Sequence, residues 1–257
     1  MCFVSAHQTR LEASPATGFH ICVSIDTDTD DCHSGETRHA CTDAGCSPDP
    51  GGLDRTEISS RGLICSAYPE SYLTFQAELP DDDCTDAAYW SYLWPASLRM
   101  AQCLTKVPWK RGSRVLELGC GIGCVGLACA AAGDRVTFSD ASELAVQMAI
   151  YNAERNGIST TGLVFDWNEP PDQRYPVMVA AEVLYSEANH LPLLKTIAAM
   201  LDPGGCCWIG DPYRSPADAF SELAEVVGMK VTLHEYPGER SHVDADAGLR
   251  IFELRHH

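Results

Sequence analysis

The segment VLELGCGIG at residues 115–123 restricts the possible folds of this chain more than any other part of the sequence. The apolar run Arg114–Leu118 predicts a buried strand, and the small residues from Gly123 to Ala132 predict a helix directly after it. Glycines at 119, 121 and 123 carry no side chain that would keep a ligand from the backbone of the connecting loop. Because ligands of open α/β sheets bind beyond the carboxyl ends of the strands, the sequence predicts a ligand site at this loop.

Strands and helices alternate along the chain around this segment. Further strands are predicted at Arg135–Ser139, Leu163–Phe165, Val177–Ala181 and Cys206–Gly210, and helices are predicted to begin at Pro95, Ser142, before Leu194 and at Ser215. Strands separated by helices pair in parallel. No helix separates Lys230–Tyr236 from Leu249–Arg255, so these two strands are expected to pair antiparallel. The pattern therefore predicts an α/β, Rossmann-like, seven-stranded and mostly parallel sheet with helices on both faces and an antiparallel C-terminal hairpin.

The first 60 residues differ in composition from the rest. They contain few large apolar residues, an acidic stretch at Asp26–Asp31 and turn-forming residues at 47–52, and only His20–Ile25 has the character of a strand. We expect a disordered tail over residues 1–60 and one domain over residues 61–257. In that domain, Leu63–Ala67 and Tyr72–Ala77 are predicted to be short strands that precede the main sheet.

Cysteine and histidine residues raise the question of a metal site. Five of them lie close together in the tail: Cys32, His33, His39, Cys41 and Cys46. Their spacing matches none of the common structural zinc patterns, so no metal is expected. The chain has 13 cysteines, and several, such as Cys124, Cys129, Cys206 and Cys207, stand where a small apolar residue would serve. We expect these to be reduced core residues.

The net charge restricts the partners. The chain carries a formal charge of −18, and its longest basic cluster, Lys106–Arg114, is short and interrupted. Nucleic-acid binders usually present a basic face, so nucleic acid is not the expected substrate. No apolar run approaches the roughly 18 residues that span a bilayer, and the N-terminus shows no secretory signal. We expect a soluble, cytoplasmic protein without a membrane partner; nothing in the sequence indicates an oligomeric state.

The glycine loop fits two nucleoside cofactors. Gly121-x-Gly-x-x-Gly126 satisfies the dinucleotide fingerprint of NAD enzymes, which is weak evidence when it stands alone. Glu117 lies two residues before the first glycine, where its negative charge would meet a pyrophosphate, whereas the cationic S-adenosylmethionine (AdoMet) has no phosphate. Asp140 follows the next strand and is placed to accept both ribose hydroxyls of either cofactor. The residues favour AdoMet, and NAD remains the alternative.

The residues from about Tyr89 to the C-terminus resemble a known family. Glu117–Gly123 is similar to the first motif of class I AdoMet-dependent methyltransferases, and Asp140, Asp166-Trp167, Glu182 and Asp202-Pro-Gly-Gly205 occur in the order of the later motifs. In particular, Trp94-Pro95, Asp166-Trp167-Asn168 and Glu182-Val-Leu-Tyr185 resemble the seven-β-strand protein lysine methyltransferases, a group also labelled nicotinamide N-methyltransferase-like. This group commonly has Asp at the position of Glu182, so the carboxylate here reaches one methylene further.

The resemblance implies a role for each matching residue. Cofactor contacts are expected from Trp94, Glu117, Gly119, Gly121, Gly123, Asp140, Asp166, Trp167 and Ala181. Asp166 would accept a hydrogen bond from the adenine amine or orient a neighbouring backbone amide that contacts it. Trp167 would lie against the adenine ring, and Trp94 would border the methionine end of the cofactor; plain core packing is the alternative for both tryptophans. Glu182 and Tyr185 would shape the transfer site, with Glu182 positioning an incoming ammonium rather than acting as a strong base. The alternative for these two residues is an ordinary strand end followed by an acidic residue at a helix start.

Several functions remain open at this point. The first hypothesis is methyl transfer to a protein lysine, and the second is methylation of a small-molecule amine, because loops rather than the fold set the acceptor. A non-catalytic AdoMet-binding protein and an NAD-dependent oxidoreductase are weaker alternatives. Asp211-Pro-Tyr213 is similar to the Asp/Asn-Pro-Pro-Tyr motif of nucleobase-amine methyltransferases, but it follows the fifth strand instead of the fourth and has one proline. It does not favour a nucleic-acid acceptor.

Overall fold

The structure is a computed structural model that describes residues 10–12, 53–57, 63–67, 89–104, 107–236 and 248–257. Its strands are β1 (Arg10–Glu12), β2 (Asp54–Glu57), β3 (Ile64–Ala67), β4 (Arg114–Leu118), β5 (Arg135–Asp140), β6 (Thr161–Val164), β7 (Tyr175–Ala181), β8 (Leu201–Asp211), β9 (Met229–Tyr236) and β10 (Leu249–His256). Its α-helices are α1 (Pro95–Cys103), α2 (Cys124–Ala131), α3 (Glu143–Arg155), α4 (His190–Met200) and α5 (Phe220–Val226). Short 3₁₀ helices at Glu187–Asn189 and Ser215–Ala219 lead into α4 and α5.

The main sheet confirms the predicted fold. Its strand order is β1-β6-β5-β4-β7-β8-β10-β9. The strands β6, β5, β4, β7 and β8 pair in parallel, and β10 pairs antiparallel with both β8 and β9. The chain moves from β4 to one side through β5 and β6, and then returns to the other side of β4 with β7. The strand order therefore reverses beside β4, and the glycine loop that follows β4 lies at this switch point.

Two strands lie within the residues expected to form the tail. Strand β1 adds an eighth, antiparallel strand beside β6, and β2 forms a separate two-stranded sheet with β3. Composition does not predict them because backbone hydrogen bonds alone can add a short strand to an edge, and β2 is polar and mostly exposed. The rest of residues 1–60, including His20–Ile25 and the five candidate metal ligands, lies outside the described residues, as does Tyr72–Ala77.

Strand β8 begins earlier than its sequence predicts. The predicted strand begins at Cys206, but the structure includes Asp202-Pro-Gly-Gly205 in β8 as a bulge. Leu201 pairs with Tyr175 and Cys206 pairs with Val177, so four residues of β8 stand opposite one residue of β7. Proline and glycine can form such an irregularity without ending the pairing, because the neighbouring strand holds both ends of the segment.

The core has one apolar layer on each face of the sheet. Alternate strand residues point to opposite faces, so Val115 packs with α1, α2 and α3 and Leu116 with α4 and α5. Cys124, Cys129, Cys206 and Cys207 are buried free thiols, as predicted. Within the described part of the chain, no helix is both long and apolar enough to cross a membrane.

The β2–β3 sheet is attached to α3 by two asparagine side chains. Asn156, which directly follows α3, bonds to both the N and the O of Ile64, and Asn152 within the helix is buried. Asn152 Oδ1 accepts a hydrogen bond from Ser66 N at 2.9 Å, and its Nδ2 donates to Ser66 O at 3.0 Å, as a neighbouring strand would. The same Nδ2 donates to the carbonyl of Ile122 at 2.9 Å. Asn152 therefore links the small sheet to the glycine loop.

Candidate active site

A cleft opens beyond the carboxyl ends of the central strands, and its volume is about 750 Å³. The segment before α1, the glycine loop, the ends of β5, β6 and β7, and the loop after β8 line it. The structure brings nine of the eleven predicted site residues to this cleft: Trp94, Gly119, Gly121, Asp140, Asp166, Trp167, Ala181, Glu182 and Tyr185. Glu117 and Gly123 are not among the residues that line it.

The glycine loop packs closely against the cleft wall. A Cβ atom at Gly119 would lie 2.9 Å from Val183 Cγ1 and 3.3 Å from Trp167 Cζ2. Any side chain at this position would therefore push on the indole ring of Trp167. The carbonyl of Trp167 accepts a hydrogen bond from Thr196 Oγ1 at 2.8 Å, which fixes the backbone at this position. The ring of Trp167 therefore lies against the glycine loop, where it lines the cleft.

Asp140 connects the glycine loop to the start of α3. Its Oδ2 accepts from Gly121 N at 3.1 Å, and its Oδ1 accepts from Ser142 N at 3.0 Å. Burial raises the pKa of this carboxyl, and the backbone N–H groups of Ser142, Gly121 and Ala141 oppose that change. A carboxylate has about four lone-pair positions, so acceptor capacity remains for hydroxyl donors from the cleft. The position is suitable for holding a ribose.

Asp166 lies at the end of β6 and is exposed. Its Oδ1 accepts from both the backbone N and the Nδ2 of Asn168, each at 2.7 Å. These bonds fix the carboxylate at the cleft edge. No described residue donates a hydrogen bond to its Oδ2, so an amine of a bound base could use that oxygen.

Aromatic rings form the wall next to α1. The ring of Trp94 stacks on Tyr89 at a centroid distance of 6.2 Å and meets Tyr92 edge-on at 5.1 Å. Trp94 Nε1 donates to the carbonyl of Tyr89 at 3.0 Å. Tyr185, which is 56% exposed, stands at the cleft after β7. An alkyl chain or a cation that enters here meets π-faces rather than water.

Glu182 holds the start of α1 and is already paired with a cation. It has a positive φ of 64°, its Oε1 accepts from Ala96 N at 3.0 Å, and its Oε2 forms an ion pair with Arg214 Nη2. Burial raises the pKa of Glu182, while Arg214 and the Ala96 N–H lower it. The carboxylate was predicted to position an incoming ammonium, but in the structure both of its oxygens already contact protein donors.

The comparisons with known proteins identify the family. The family model described as "Methyltransferase domain" matches residues 95–243. The chain belongs to this family. The match confirms the predicted methyltransferase class and, with it, S-adenosylmethionine as the cofactor.

The relatives of this methyltransferase have names that state different activities. The chain is 29% identical over 160 residues to a ubiquinone biosynthesis O-methyltransferase of Vibrio vulnificus, covering 61% of this chain and 66% of the relative. It is 26% identical over 154 residues to EEF1A lysine methyltransferase 3 of Mus musculus, covering 57% and 63%. It thus spans just under two thirds of each relative. A tRNA (uracil-54, C5)-methyltransferase of Pyrococcus abyssi shares the fold, with a TM-score of 0.52, 13% identity and coverage of 79% and 44%.

The cleft of the methyltransferase fits AdoMet on its own geometry. Asp140 keeps acceptor positions that would suit a ribose, and the predicted base contacts Asp166 and Trp167 line the same cleft as Gly119 and Gly121. Among the described residues that line the cleft, Arg214 is the only basic side chain, and it is paired with Glu182.

The sequence missed part of this site. Arg214 lines the cleft but comes from the loop after β8, and no motif spacing connects it to Glu182. The aromatic residues Tyr89, Trp90 and Tyr92 also line the cleft, and the density of aromatic residues before Pro95 is a signal that could have indicated them. Asp211 is fully buried and bonded to Arg250 Nε at 2.9 Å, so it is part of the framework.

Glu117 lies beneath the glycine loop instead of in the cleft. Its side chain is buried, and its Oε2 accepts from Gly126 N at 2.8 Å, in the first turn of α2. The carboxyl therefore caps the N-terminus of that helix, where a negative charge is favourable. Burial nevertheless dominates and raises the pKa of Glu117 to about 8. Its effect on the cofactor is indirect, through the position of the loop.

The raised pKa of Glu117 predicts a stability that falls with pH. Between its ordinary pKa of 4.5 and about 8, the folded protein keeps a proton that the unfolded chain releases. Stability is therefore lost as the pH rises through this window, at about 1.4 kcal/mol per pH unit, and is level above it. Between pH 6 and pH 7.5, the free energy of unfolding of the wild type should fall by about 2 kcal/mol more than that of Glu117→Gln, as measured by urea unfolding. Parallel pH curves for the two proteins would contradict the assignment.

Proposed function

We propose that this methyltransferase transfers the methyl group of AdoMet to a side-chain amine of a protein, with lysine as the acceptor. The observation that carries the proposal is the placement of Glu182-x-x-Tyr185 at the end of β7, beside the ring of Trp94. Tyr89, Tyr92, Trp94 and Tyr185 give this part of the cleft an aromatic lining that accepts a long alkyl side chain. The similarity to a mouse lysine methyltransferase supports the same acceptor.

The reaction requires an amine without its proton. Lysine has a reference pKa of about 10.4, so about one amine in a few thousand is neutral at pH 7. An aromatic pocket that excludes water lowers the pKa of an amine, because desolvation disfavours the charged form. The wall formed by Trp94 and the tyrosines would therefore favour the nucleophilic amine.

The remaining groups of the site act through placement. Bound AdoMet supplies an electrophilic methyl group on a sulfonium, and the acceptor nitrogen bonds to that carbon while the carbon–sulfur bond breaks and its electron pair stays on sulfur. Asp140 and the glycine loop would fix the nucleoside, and Glu182 fixes α1 and thereby Trp94. Alignment of two reactants in one cleft contributes most of the acceleration in such displacements.

A labelling experiment tests the acceptor. The protein is incubated with methyl-labelled AdoMet and a cell lysate that has been separated into macromolecules and dialysable compounds. We expect label in the protein fraction, recovered as methyllysine after acid hydrolysis, with no label when Asp140→Ala replaces the wild type.

The same experiment separates the alternatives. Label that is confined to a dialysable amine would replace the protein acceptor with a small molecule. Label that is confined to a phenolic ether would favour O-methylation, the activity that the name of the Vibrio vulnificus relative states. Either result would overturn the proposal.

A further inference from the structure

We infer that Arg214 is a positioning residue that keeps the transfer site electrically neutral, so that the site receives the acceptor as a free amine instead of binding it as an ammonium ion. This inference rests on the proposed function, because it concerns an amine acceptor. It assigns a role to a residue that the sequence motifs do not include.

The position of Arg214 is fixed from behind the cleft. Its backbone N donates to Asp211 Oδ1 at 3.0 Å, and its carbonyl accepts from Arg250 Nη2 at 2.6 Å. Arg250 is itself bonded to Asp211 at 2.9 Å and to Asp218 at 2.7 Å. A network of two carboxylates and one buried arginine therefore anchors the loop, and the Arg214 side chain extends from it to the cleft.

The guanidinium of Arg214 occupies the place where an ammonium would bind. It pairs with the Glu182 carboxylate and lies 5.8 Å from the centre of the Trp94 ring. A carboxylate next to an aromatic face is the combination that binds alkylammonium ions. Here the protein fills that combination with its own cation, whose side chain is only 20% exposed.

A neutral pair serves methyl transfer better than a lone carboxylate. A carboxylate without a partner would raise the pKa of an incoming amine, and each unit reduces the neutral fraction about tenfold. With Arg214 in place, the charge of Glu182 is compensated. The other described charged or titratable groups around this pair are Asp211, Arg250 and Asp218 behind it, Asp140 and Asp166 across the cleft, and the phenols of Tyr89, Tyr92 and Tyr185.

Binding of n-butylammonium, an analogue of the lysine side chain, tests this role without an acceptor protein. Isothermal titration calorimetry is performed at pH 8 on the S-adenosylhomocysteine complexes of the wild type and three variants. We expect Arg214→Gln to bind the ion at least about tenfold more tightly than the wild type, because Glu182 is then uncompensated. The double variant Arg214→Gln with Glu182→Gln should lose this gain, and Arg214→Lys should bind as weakly as the wild type.

The outcomes separate this inference from the proposed function. Unchanged binding of n-butylammonium by Arg214→Gln, in a protein that still binds AdoMet, would overturn the role of Arg214 whatever the labelling experiment shows. If Arg214→Gln fails to fold, Arg214→Met replaces it. With the acceptor from the labelling experiment, the pH–rate profile of Arg214→Gln should move at least about one unit towards higher pH, and that of Arg214→Lys should stay. A profile that does not move would also overturn the inference.

Discussion

Replacing Asp140 with alanine is expected to raise the Kd for AdoMet at least about a hundredfold. The carboxylate retains acceptor positions towards the cleft, and each hydrogen bond from a ribose hydroxyl to a charged acceptor contributes about 1.5–3 kcal/mol. Two such bonds correspond to about 3–6 kcal/mol, and every 1.4 kcal/mol is about tenfold in affinity. The variant also loses the bonds to Gly121 N and Ser142 N, which hold the glycine loop against α3. Isothermal titration with AdoMet measures the effect.

The variant Asp140→Asn separates the two contributions. Its side-chain oxygen can still accept from one backbone N–H, whereas the negative charge towards the ribose is gone. We expect an affinity between those of the wild type and Asp140→Ala. If both variants bound AdoMet as tightly as the wild type, the assignment of Asp140 to the ribose would be wrong.

The parts of the fold that follow from local patterns were predictable from the sequence. The strand Arg114–Leu118 matches β4 residue for residue, because its apolar run is bounded by Ser113 and the first glycine. The helix expected from Ser142 matches α3, where Ser142 caps the N-terminus and accepts from Ala145 N at 3.4 Å. Such capping and periodicity depend only on neighbours in sequence.

Features that depend on contacts distant in sequence were not predictable in the same way. Strand β1 exists through its pairing with β6, more than a hundred residues away. Glu117 was expected beside the cofactor because it precedes the glycines, but side chains alternate along a strand, and its carboxylate points to the first turn of α2. The alternation could have indicated this, since Leu116 and Leu118 on either side face the opposite layer of the core.

The residues of the candidate site also divide into those that local motifs predict and those that depend on contacts distant in sequence. Sequence motifs located the residues at the ends of β4, β5, β6 and β7, because the carboxyl ends of parallel strands lie together at one edge. They did not reveal that Glu182 is paired, since Arg214 follows it by 32 positions and reaches it only because β8 lies next to β7. The pairing compensates the negative charge of Glu182, and only the three-dimensional structure shows it.

Replacing Gly123 with alanine is expected to destabilise the methyltransferase by about 2–5 kcal/mol. Gly123 has a φ of +80° and caps the N-terminus of α2. A Cβ atom there would lie 2.6 Å from Ala149 Cβ and 3.0 Å from Ala149 Cα, and also 3.0 Å from Phe138 Cε1. Left-handed backbone costs about 1–2 kcal/mol for a residue with a side chain, and overpacking adds about 1–3 kcal/mol because α3 must move away from α2. Urea unfolding measures the loss.

Gly112 provides a matched control for this substitution. Its φ is +86°, close to that of Gly123, but a Cβ atom at Gly112 would have no heavy atom within 4 Å. Gly112→Ala should therefore lower the free energy of unfolding only by the cost of the left-handed backbone, about 1–2 kcal/mol. Equal losses in the two variants would show that the contact between α2 and α3 at Gly123 is not tight. A larger loss of stability at Gly123 would show that this third glycine of the loop allows α2 and α3 to pack together. Gly123 would then position the loop at the cleft without lining the cleft itself.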